Sequence, residues 1–228
     1  MIVTRGNLKF DIYWNQDGFA FEETLDRNLY RIDPKPGMSI LDIGAYKGFV
    51  SIPAAKAGAY VRCFEPHPDS FATLQRNAYM NDVILDARNE GVWSCGRQSR
   101  LLDSPAGNEG GRPMECVGSL QRHIRENFGN SDPTGPIVNL TSFSEALGDK
   151  LWDIVKMDCE GSEFEILMKA TDAQLRQIDF LTMEVHGFLG AGKIGDMLVR
   201  LKRIFEVEGQ NEVIYGNLEN ANFYLRRK

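Results

Sequence analysis

Residues 38–65 contain the pattern that most restricts the fold of this chain. Residues 38–43 form a short apolar run typical of a buried strand, and a glycine-rich turn follows it. Apolar residues then recur at helical spacing over 50–59, and a second apolar run, 60–65, has the length of a strand. Two strands joined by a helix form a βαβ unit, whose strands lie parallel in one sheet. The sequence therefore predicts an α/β protein with a parallel sheet.

The same alternation of strands and helices continues along the chain. Helices are predicted at 69–79, with Pro68 at the start, and at 142–147, 162–169 and 194–205; strands are predicted at 83–88, 152–157, 180–186 and 222–226. Residues 104–136 are rich in glycine and proline and are predicted to be an irregular insertion, preceded by a strand pair within 92–102. A length of 228 residues suits one domain of this kind.

The first 36 residues are predicted to form an N-terminal extension that packs on a domain formed by residues 37–228. Residues 1–14 alternate between polar and apolar side chains, as in a strand or hairpin. Residues 19–31 have apolar side chains near helical spacing, and the segment Asp33-Pro-Lys-Pro-Gly37 ends that predicted helix. We expect this extension to cover the active site.

The turn from Leu41 to Gly48, with the sequence LDIGAYKG, lies between a predicted strand and a predicted helix. Glycine is favoured there because the backbone turns sharply and approaches a ligand closely. Gly44 and Gly48 are spaced as GxxxG, which differs from the GxGxxG of folds that bind a dinucleotide pyrophosphate. S-adenosylmethionine has no phosphate. Its amino-acid end presents a carboxylate for the backbone amides near residues 44–47 and an ammonium that Asp42 attracts directly or through water.

An acidic residue ends the next predicted strand, about 20 residues after Gly44. This residue, Glu65, is placed to accept hydrogen bonds from two ribose hydroxyl groups. The turn and Glu65 together predict a site for a cofactor that contains adenosine. The alternatives are a structural turn beside a surface carboxylate and, for the cofactor class, an NAD-dependent oxidoreductase.

Three further segments carry a resemblance to a known family. They are Ile154-Val-Lys-Met-Asp-Cys-Glu-Gly-Ser-Glu-Phe-Glu-Ile-Leu167, Met183-Glu-Val-His186 and Asn89-Glu-Gly-Val-Trp93. In their order and content they resemble the FkbM-type methyltransferases, a branch of the class I S-adenosylmethionine-dependent enzymes. The resemblance runs from about Gly37 to Lys228, and Tyr46 departs from it because the family often has Asn at that position.

The resemblance implies a Rossmann-like, seven-stranded, mostly parallel sheet with helices on both faces. It also implies methyl transfer from S-adenosylmethionine, most often to a hydroxyl of a small molecule or sugar. Methylation of a peptide or amine nitrogen stays open, as does a module that binds the cofactor without catalysis.

The predicted site residues lie at or near the carboxyl ends of the strands, the edge where doubly wound folds bind ligands. The predicted catalytic residues are Asp158, Glu160 and His186, since a hydroxyl acceptor must lose its proton. The predicted cofactor-binding residues are Asp42, Gly44, Ala45, Tyr46, Gly48, Glu65, Pro66, Glu90, Gly91 and Asp158. Ser162 and Glu163 suit a helix start, so Glu163 and Glu165 are interpreted as capping or solvated residues.

A divalent metal on Asp158 and Glu160 would need further oxygen ligands, and the sequence identifies none, so no metal site is predicted. Residues 187–193, with the sequence GFLGAGK, have the spacing of a phosphate-binding loop. Ile194 stands where such a loop needs Ser or Thr for magnesium, so this segment is interpreted as a glycine loop beside the acceptor pocket.

Charge and composition restrict the partners and the compartment. The net charge of −6 argues against a nucleic-acid partner, and no apolar run reaches the roughly 18 residues of a membrane span. The four cysteines are scattered and are interpreted as reduced, which predicts a cytoplasmic protein. The expected partner is a small-molecule acceptor, and a homo-oligomer stays open.

Overall fold

The structure is a computed structural model that describes residues 1–102, 114–116, 136–159, 161–186, 191–212 and 220–228. Three predictions fall wholly or largely outside these residues. They concern Glu160, the irregular insertion at 104–136 and the glycine loop that begins at residue 187.

The described residues form a chain of alternating strands and helices. In order these are β1 (Ile2–Arg5), β2 (Leu8–Asp11), α1 (Trp14–Leu25), β3 (Ser39–Ile43), α2 (Ser51–Lys56), β4 (Tyr60–Phe64), α3 (Pro68–Met80), β5 (Asp86–Arg88), β6 (Gly91–Trp93), β7 (Arg97–Leu102), β8 (Met114–Cys116), β9 (Ile137–Ser142), α4 (Phe143–Leu147), β10 (Trp152–Met157), α5 (Ser162–Lys169), α6 (Asp172–Leu175), β11 (Ile178–His186), α7 (Ala191–Leu201), β12 (Phe205–Glu212) and β13 (Asn220–Arg227).

Seven strands form the main sheet in the order β12-β13-β11-β10-β3-β4-β5. The pairings from β11 to β5 are parallel, whereas β13 is antiparallel to both of its neighbours. The predicted seven-stranded, mostly parallel sheet is confirmed. Strand β12 was not predicted, and the predicted helix 194–205 ends at Leu201, four residues earlier.

The central strands are buried on both faces, which explains their apolar sequences. Leu41 and Ile43 of β3 face a hydrophobic cluster formed with α4, α5 and α7. Ile40 faces the opposite cluster with α2 and α3, which also contains the Cys63 thiol. Burial raises the pKa of Cys63, so it behaves as the predicted core cysteine. Helices therefore cover both faces, as predicted.

The N-terminal residues form the hairpin β1–β2 and helix α1. The rings of Phe10, Phe21 and Phe49 pack edge to face with centroids 5.3 to 5.6 Å apart, which joins this hairpin and helix to the chain before α2. The helix predicted at 19–31 is wrong in its bounds. Helix α1 ends at Leu25, and left-handed backbone at Asn28 and Arg31 keeps the following residues out of a helix.

A second sheet has the strand order β6-β9-β7-β8. The predicted strand pair within 92–102 is wrong, because β9 lies between β6 and β7 and pairs with both. Val138 and Leu140 of β9 are buried while Asn139 between them is exposed, so one face of this strand packs against Trp93.

Candidate active site

The turn after β3 lies against the end of β10. Gly44 has φ +80°, and a Cβ there would lie well inside van der Waals contact of the Asp158 carbonyl oxygen. The Asp158 amide donates to the Ile43 carbonyl at 3.1 Å and fixes the same approach. Only glycine fits at position 44, and the consequence is that the acidic end of β10 lies beside the turn predicted to hold the cofactor.

The amides of this turn are engaged within the protein. Gly44 and Ala45 donate to the Phe64 carbonyl at 3.0 and 2.9 Å, and Tyr46 donates to Glu65 Oε2 at 2.7 Å. These three amides therefore tie the turn to the end of β4. The expectation that they bind a ligand carboxylate receives no support from this geometry.

The Glu65 carboxylate is 6% exposed and accepts two backbone hydrogen bonds. In addition to the Tyr46 bond, Oε1 accepts from the His67 amide at 2.8 Å. Burial raises the pKa of Glu65 to about 7, and the two hydrogen bonds oppose that rise because they favour the charged carboxylate. The carboxylate is thus held in one orientation and is poised to change charge near neutral pH.

The segment after β5 docks on the same end of β4. The Asn89 side chain donates to the carbonyls of Glu65 and Pro66 at 2.8 and 3.1 Å. A Cβ on Gly91 would lie 2.6 Å from Leu140 and 3.5 Å from Pro66, so glycine permits this close packing. The structure therefore brings Glu65, Pro66 and Gly91 together, with the half-buried Glu90 beside them in the chain.

A buried lysine joins two of the predicted site carboxylates. Lys156 on β10 is 3% exposed, and its Nζ lies 3.3 Å from Asp42 Oδ1 and 3.8 Å from Asp158 Oδ2. Burial alone would lower the pKa of Lys156, but the charges of Asp42 and Asp158 outweigh it and raise that pKa. Ser51 donates to the other Asp42 oxygen at 2.6 Å. Asp42 therefore faces Lys156 and Ser51, and its contact with a ligand ammonium, directly or through water, stays a prediction.

Tyr30, from the segment after α1, reaches the same cluster. Its hydroxyl donates to Asp158 Oδ2 at 2.7 Å, and its ring lies 5.1 Å from Lys156 Nζ. Burial, followed by the charges of Asp158 and Glu184, raises the pKa of Tyr30 well above its ordinary value. The hydroxyl therefore stays protonated and acts as a hydrogen-bond donor. Sequence reasoning assigned no role to Tyr30 or to Lys156, although a lysine within an apolar strand is costly unless it is paired.

A row of polar residues continues from Asp158 across the neighbouring strands. Glu184 on β11 pairs in register with Asn222 on β13, and Thr182 pairs with Lys156 on β10. Thr182, Glu184 and Asn222 are all at least nine-tenths buried. Within the described part of the chain, Thr182 Oγ1 and Asn222 Oδ1 have no hydrogen-bond partner. Such buried polar atoms are uncommon and call for a ligand or water.

The remaining predicted residues divide into those that the structure places and those that it does not. His186 ends β11 at the same edge, but its side chain lies outside the described residues, as does the whole of Glu160. Glu163 is buried and accepts the Cys159 amide at 2.7 Å, so it is not solvated, but the N-cap residue Gly161 has no side-chain cap hydrogen bond. Glu165 accepts from Ser94 at 2.9 Å. Among the described ranges no cluster of His, Cys, Asp or Glu has the arrangement of a metal site.

Sequence comparison identifies the family to which this geometry belongs. Residues 42–212 match the family model described as the methyltransferase FkbM domain. The chain belongs to the FkbM methyltransferase family. It carries the domain of S-adenosylmethionine-dependent methyltransferases, as the resemblance implied. An 82-residue segment is also 28% identical to the ubiquinone biosynthesis O-methyltransferase of Methylocella silvestris, and that match spans 36% of this chain and 32% of the relative.

Solved structures show the same fold at low sequence identity. A transferase of Pyrococcus horikoshii matches with a TM-score of 0.54 and 15% identity over 99% of this chain and 70% of its own. A protein of Clostridium thermocellum described as an rRNA methylase matches with a TM-score of 0.53 and 11% identity. That match covers 96% of this chain and 98% of the Clostridium protein. The Pyrococcus abyssi tRNA (uracil-54, C5)-methyltransferase, solved with S-adenosyl-L-homocysteine, matches with a TM-score of 0.54 and 12% identity. That match covers 99% of this chain and 44% of the methyltransferase. In the part of the chain that the structure describes, no helix is long and apolar enough to cross a membrane.

Proposed function

We propose that this FkbM-family enzyme transfers a methyl group from S-adenosylmethionine to a hydroxyl oxygen of a small molecule or sugar. One observation carries the proposal, namely the contact of Asp158 with the glycine turn. The Asp158 carbonyl oxygen occupies the space that a Cβ on Gly44 would take, so the Asp158 carboxylate belongs to the same edge as the cofactor turn. A base for the acceptor hydroxyl is needed at this edge.

The residues around the turn fit an adenosyl cofactor. Glu65 accepts two backbone hydrogen bonds and keeps oxygen lone pairs for the two ribose hydroxyls. Pro66, Glu90 and Gly91 are the proposed adenine-side residues, because Asn89 docks that segment onto the end of β4. When bound, the cofactor supplies a methyl group on a positively charged sulfur, and S-adenosylhomocysteine remains after transfer.

The chemistry proposed for the protein is proton removal and alignment. The Asp158 carboxylate takes the proton of the acceptor hydroxyl while the oxygen forms its bond to the methyl carbon. Lys156 and Tyr30 hold Asp158 from the protein side, by charge and by a hydrogen bond at Oδ2. Glu160 and His186 stay further proposed catalytic residues at the same edge.

The polar row on β11 and β13 supports an acceptor that carries hydroxyl groups. The Glu184 carboxylate and the Asn222 carbonyl oxygen are hydrogen-bond acceptors, and the Thr182 hydroxyl can donate or accept. An apolar acceptor would leave Thr182 Oγ1 and Asn222 Oδ1 without hydrogen-bond partners, which is costly. The net charge of −6 favours a small acceptor over a nucleic acid, although the solved structures with this fold include RNA methyltransferases.

The proposed function is tested with methyl-labelled S-adenosylmethionine and a panel of sugars, polyols, phenols, amines, peptides and RNA. We expect the label in a methyl group bound to the oxygen of one hydroxyl-bearing acceptor. One S-adenosylhomocysteine should form for each methyl group transferred. Asp158→Asn should lower turnover at least a hundredfold while the affinity for S-adenosylhomocysteine changes little. Asp179→Asn, which alters an exposed carboxylate paired with Arg227, is the matched control and should leave turnover unchanged.

Label on nitrogen would contradict the hydroxyl acceptor, and label in RNA would contradict the small-molecule acceptor. Cofactor binding without transfer to any acceptor, including those in a cell extract, would instead favour a binding module without catalysis. Unchanged turnover in Asp158→Asn would remove the proposed base. The cytoplasmic location and the oligomeric state stay predictions.

A further inference from the structure

We infer that Asp17 is a positioning residue for the cofactor, because it holds Tyr46, and the Tyr46 amide in turn orients the Glu65 carboxylate. The inference rests on the proposed role of Glu65 as the ribose ligand. It assigns to helix α1 a part in cofactor binding that lies outside the matched family domain, which begins at residue 42.

Asp17 is fully buried in the first turn of α1, where three groups donate to its carboxylate. Oδ2 accepts from the Tyr13 amide and from Lys47 Nζ, each at 2.6 Å. Oδ1 accepts from the Tyr46 hydroxyl. Two consecutive residues of the cofactor turn, Tyr46 and Lys47, are therefore anchored to one carboxylate of the N-terminal extension.

The anchored turn has a strained backbone at the point where it meets Glu65. Tyr46 has φ +49°, a left-handed conformation that side-chain-bearing residues adopt at a cost. In this conformation its amide donates to Glu65 Oε2 at 2.7 Å. The hydrogen bond from its hydroxyl to Asp17 offsets the strain, so the side chain and the amide of one residue connect α1 with the ribose-binding carboxylate.

Lys47 strengthens the same connection. It is 6% exposed, its Nζ lies 5.3 and 5.0 Å from the rings of Tyr13 and Tyr46, and its carbonyl accepts from the Asn77 side chain at 2.9 Å. Asn77 also accepts from the Asp11 amide at 2.6 Å. The turn is thus bound to the N-terminal extension on both of its sides. Tyr46 departs from the Asn that is frequent in the family, and the contact of its hydroxyl with Asp17 gives this departure a structural reason.

Two variants test the inference on the apo protein, with S-adenosylhomocysteine affinity measured by calorimetry from pH 5.5 to 8. Tyr46→Phe removes one oxygen and should weaken binding about fivefold. Asp17→Asn keeps the side-chain shape but loses the charge facing Lys47, and it should weaken binding about tenfold or more. Tyr79→Phe removes a hydroxyl from a side chain that is 84% exposed, and it should bind as the wild type does.

The pH profile separates positioning from a loss of packing. A looser turn donates less well to Glu65, so the pH midpoint of binding should move upward from about 7 in both variants. Lys156 and Asp42 also act on the charge of Glu65, and neither is changed. Circular dichroism at the binding temperature verifies that each variant is folded, and if Asp17→Asn does not fold, Tyr46→Phe alone decides.

The variant Glu65→Gln, measured in parallel, distinguishes failure of the positioning role of Asp17 from failure of the ribose assignment of Glu65. If Glu65→Gln weakens binding and Tyr46→Phe does not, the positioning role of Asp17 is overturned and the ribose assignment stands. If Tyr46→Phe weakens binding without moving the midpoint, the route through Glu65 is overturned. If Glu65→Gln has no effect on affinity, both the ribose assignment and this inference are overturned.

Discussion

At the scale of single residues, the site depends on buried charges whose partners are fixed by the fold. Lys156 lies between two carboxylates, Tyr30 donates to one of them, and Glu65 is held by two amides. Burying any of these groups alone would be costly, and the cost is reduced when the group is paired or hydrogen-bonded. The charge state of this site is therefore set by contacts between elements, and it should respond to pH and to single substitutions.

The raised pKa of Glu65 predicts pH-dependent cofactor binding. Ribose hydroxyls donate to the ionised carboxylate, and protonation removes acceptor capacity as the pH falls through about 7. We expect the affinity for S-adenosylhomocysteine to be about tenfold weaker at pH 6 than at pH 8. Calorimetry on the wild type and on Glu65→Gln checks this, because the variant should bind weakly with a flat profile. A flat profile for the wild type would contradict the assignment.

Removal of the buried lysine should destabilise the protein strongly. Lys156→Met leaves Asp42 and Asp158 without their shared cation, and breaking a buried ion pair costs about 3–5 kcal/mol. Urea unfolding at neutral pH measures the loss. Lys35→Met is the control, since its pair with Asp33 is exposed and should contribute less than about 1 kcal/mol. Equal losses in the two variants would show that Lys156 contributes little.

Some of these residues could be predicted from the sequence and others could not. Gly44 and Glu65 belong to local motifs, in which a turn and a strand end define the role of the side chain. Tyr30 and Asp158 are 128 residues apart, and no local pattern connects them. Asp17 lies within an amphipathic helix, where an acidic residue is normally solvated, so its buried contacts with the cofactor turn became visible only in three dimensions.

At the scale of elements, the close approach of β3 and β10 determines the geometry of the site. The bounds of β10 and α5 match their predictions because both are short and strongly patterned, with burial on the expected faces. Strands β9 and β12 were missed because polar residues interrupt their apolar pattern, and the pairing partners of β9 are also distant in the chain. Pairing between distant strands contributes little to a local sequence window.

A pair of glycine substitutions tests the contact between the turn after β3 and the end of β10. Gly44 and Gly37 have similar positive φ values, +80° and +84°, but a Cβ at Gly37 would meet no atom within 4 Å. Gly37→Ala should therefore cost only about 1–2 kcal/mol for its backbone conformation. Gly44→Ala should cost considerably more, because β10 must also move. Denaturant unfolding of both variants measures the difference, and similar costs would contradict the contact.

At the scale of the whole molecule, the N-terminal extension and the sheet share buried contacts. Asn81, the C-cap residue of α3, accepts the Lys9 amide at 2.8 Å, Asp17 pairs with Lys47, and Tyr30 donates to Asp158. Contacts of this kind run from β2 to the end of β10. The extension predicted at residues 1–36 is therefore expected to unfold together with the domain.

Tryptophan fluorescence can test this coupling because Trp14 lies in α1 and Trp152 lies in the core of the main sheet. In a variant with Trp93→Phe and Trp152→Phe, only Trp14 emits. We expect its urea midpoint to coincide with the midpoint from far-ultraviolet circular dichroism of the same variant. The reverse variant, with Trp14→Phe and Trp93→Phe, supplies the control. An earlier transition at Trp14 would show that the extension opens by itself.

The antiparallel insertion of β13 between β11 and β12 has a consequence for synthesis on the ribosome. The edge of β11 stays without its neighbour until Asn220–Arg227 has been translated, although β11 is made before β12. A nascent chain therefore carries an open, apolar strand edge until β13 has been made, and such an edge can pair with another chain. Protection of the β11 edge by a chaperone, or delayed release of the chain, would matter most in that interval.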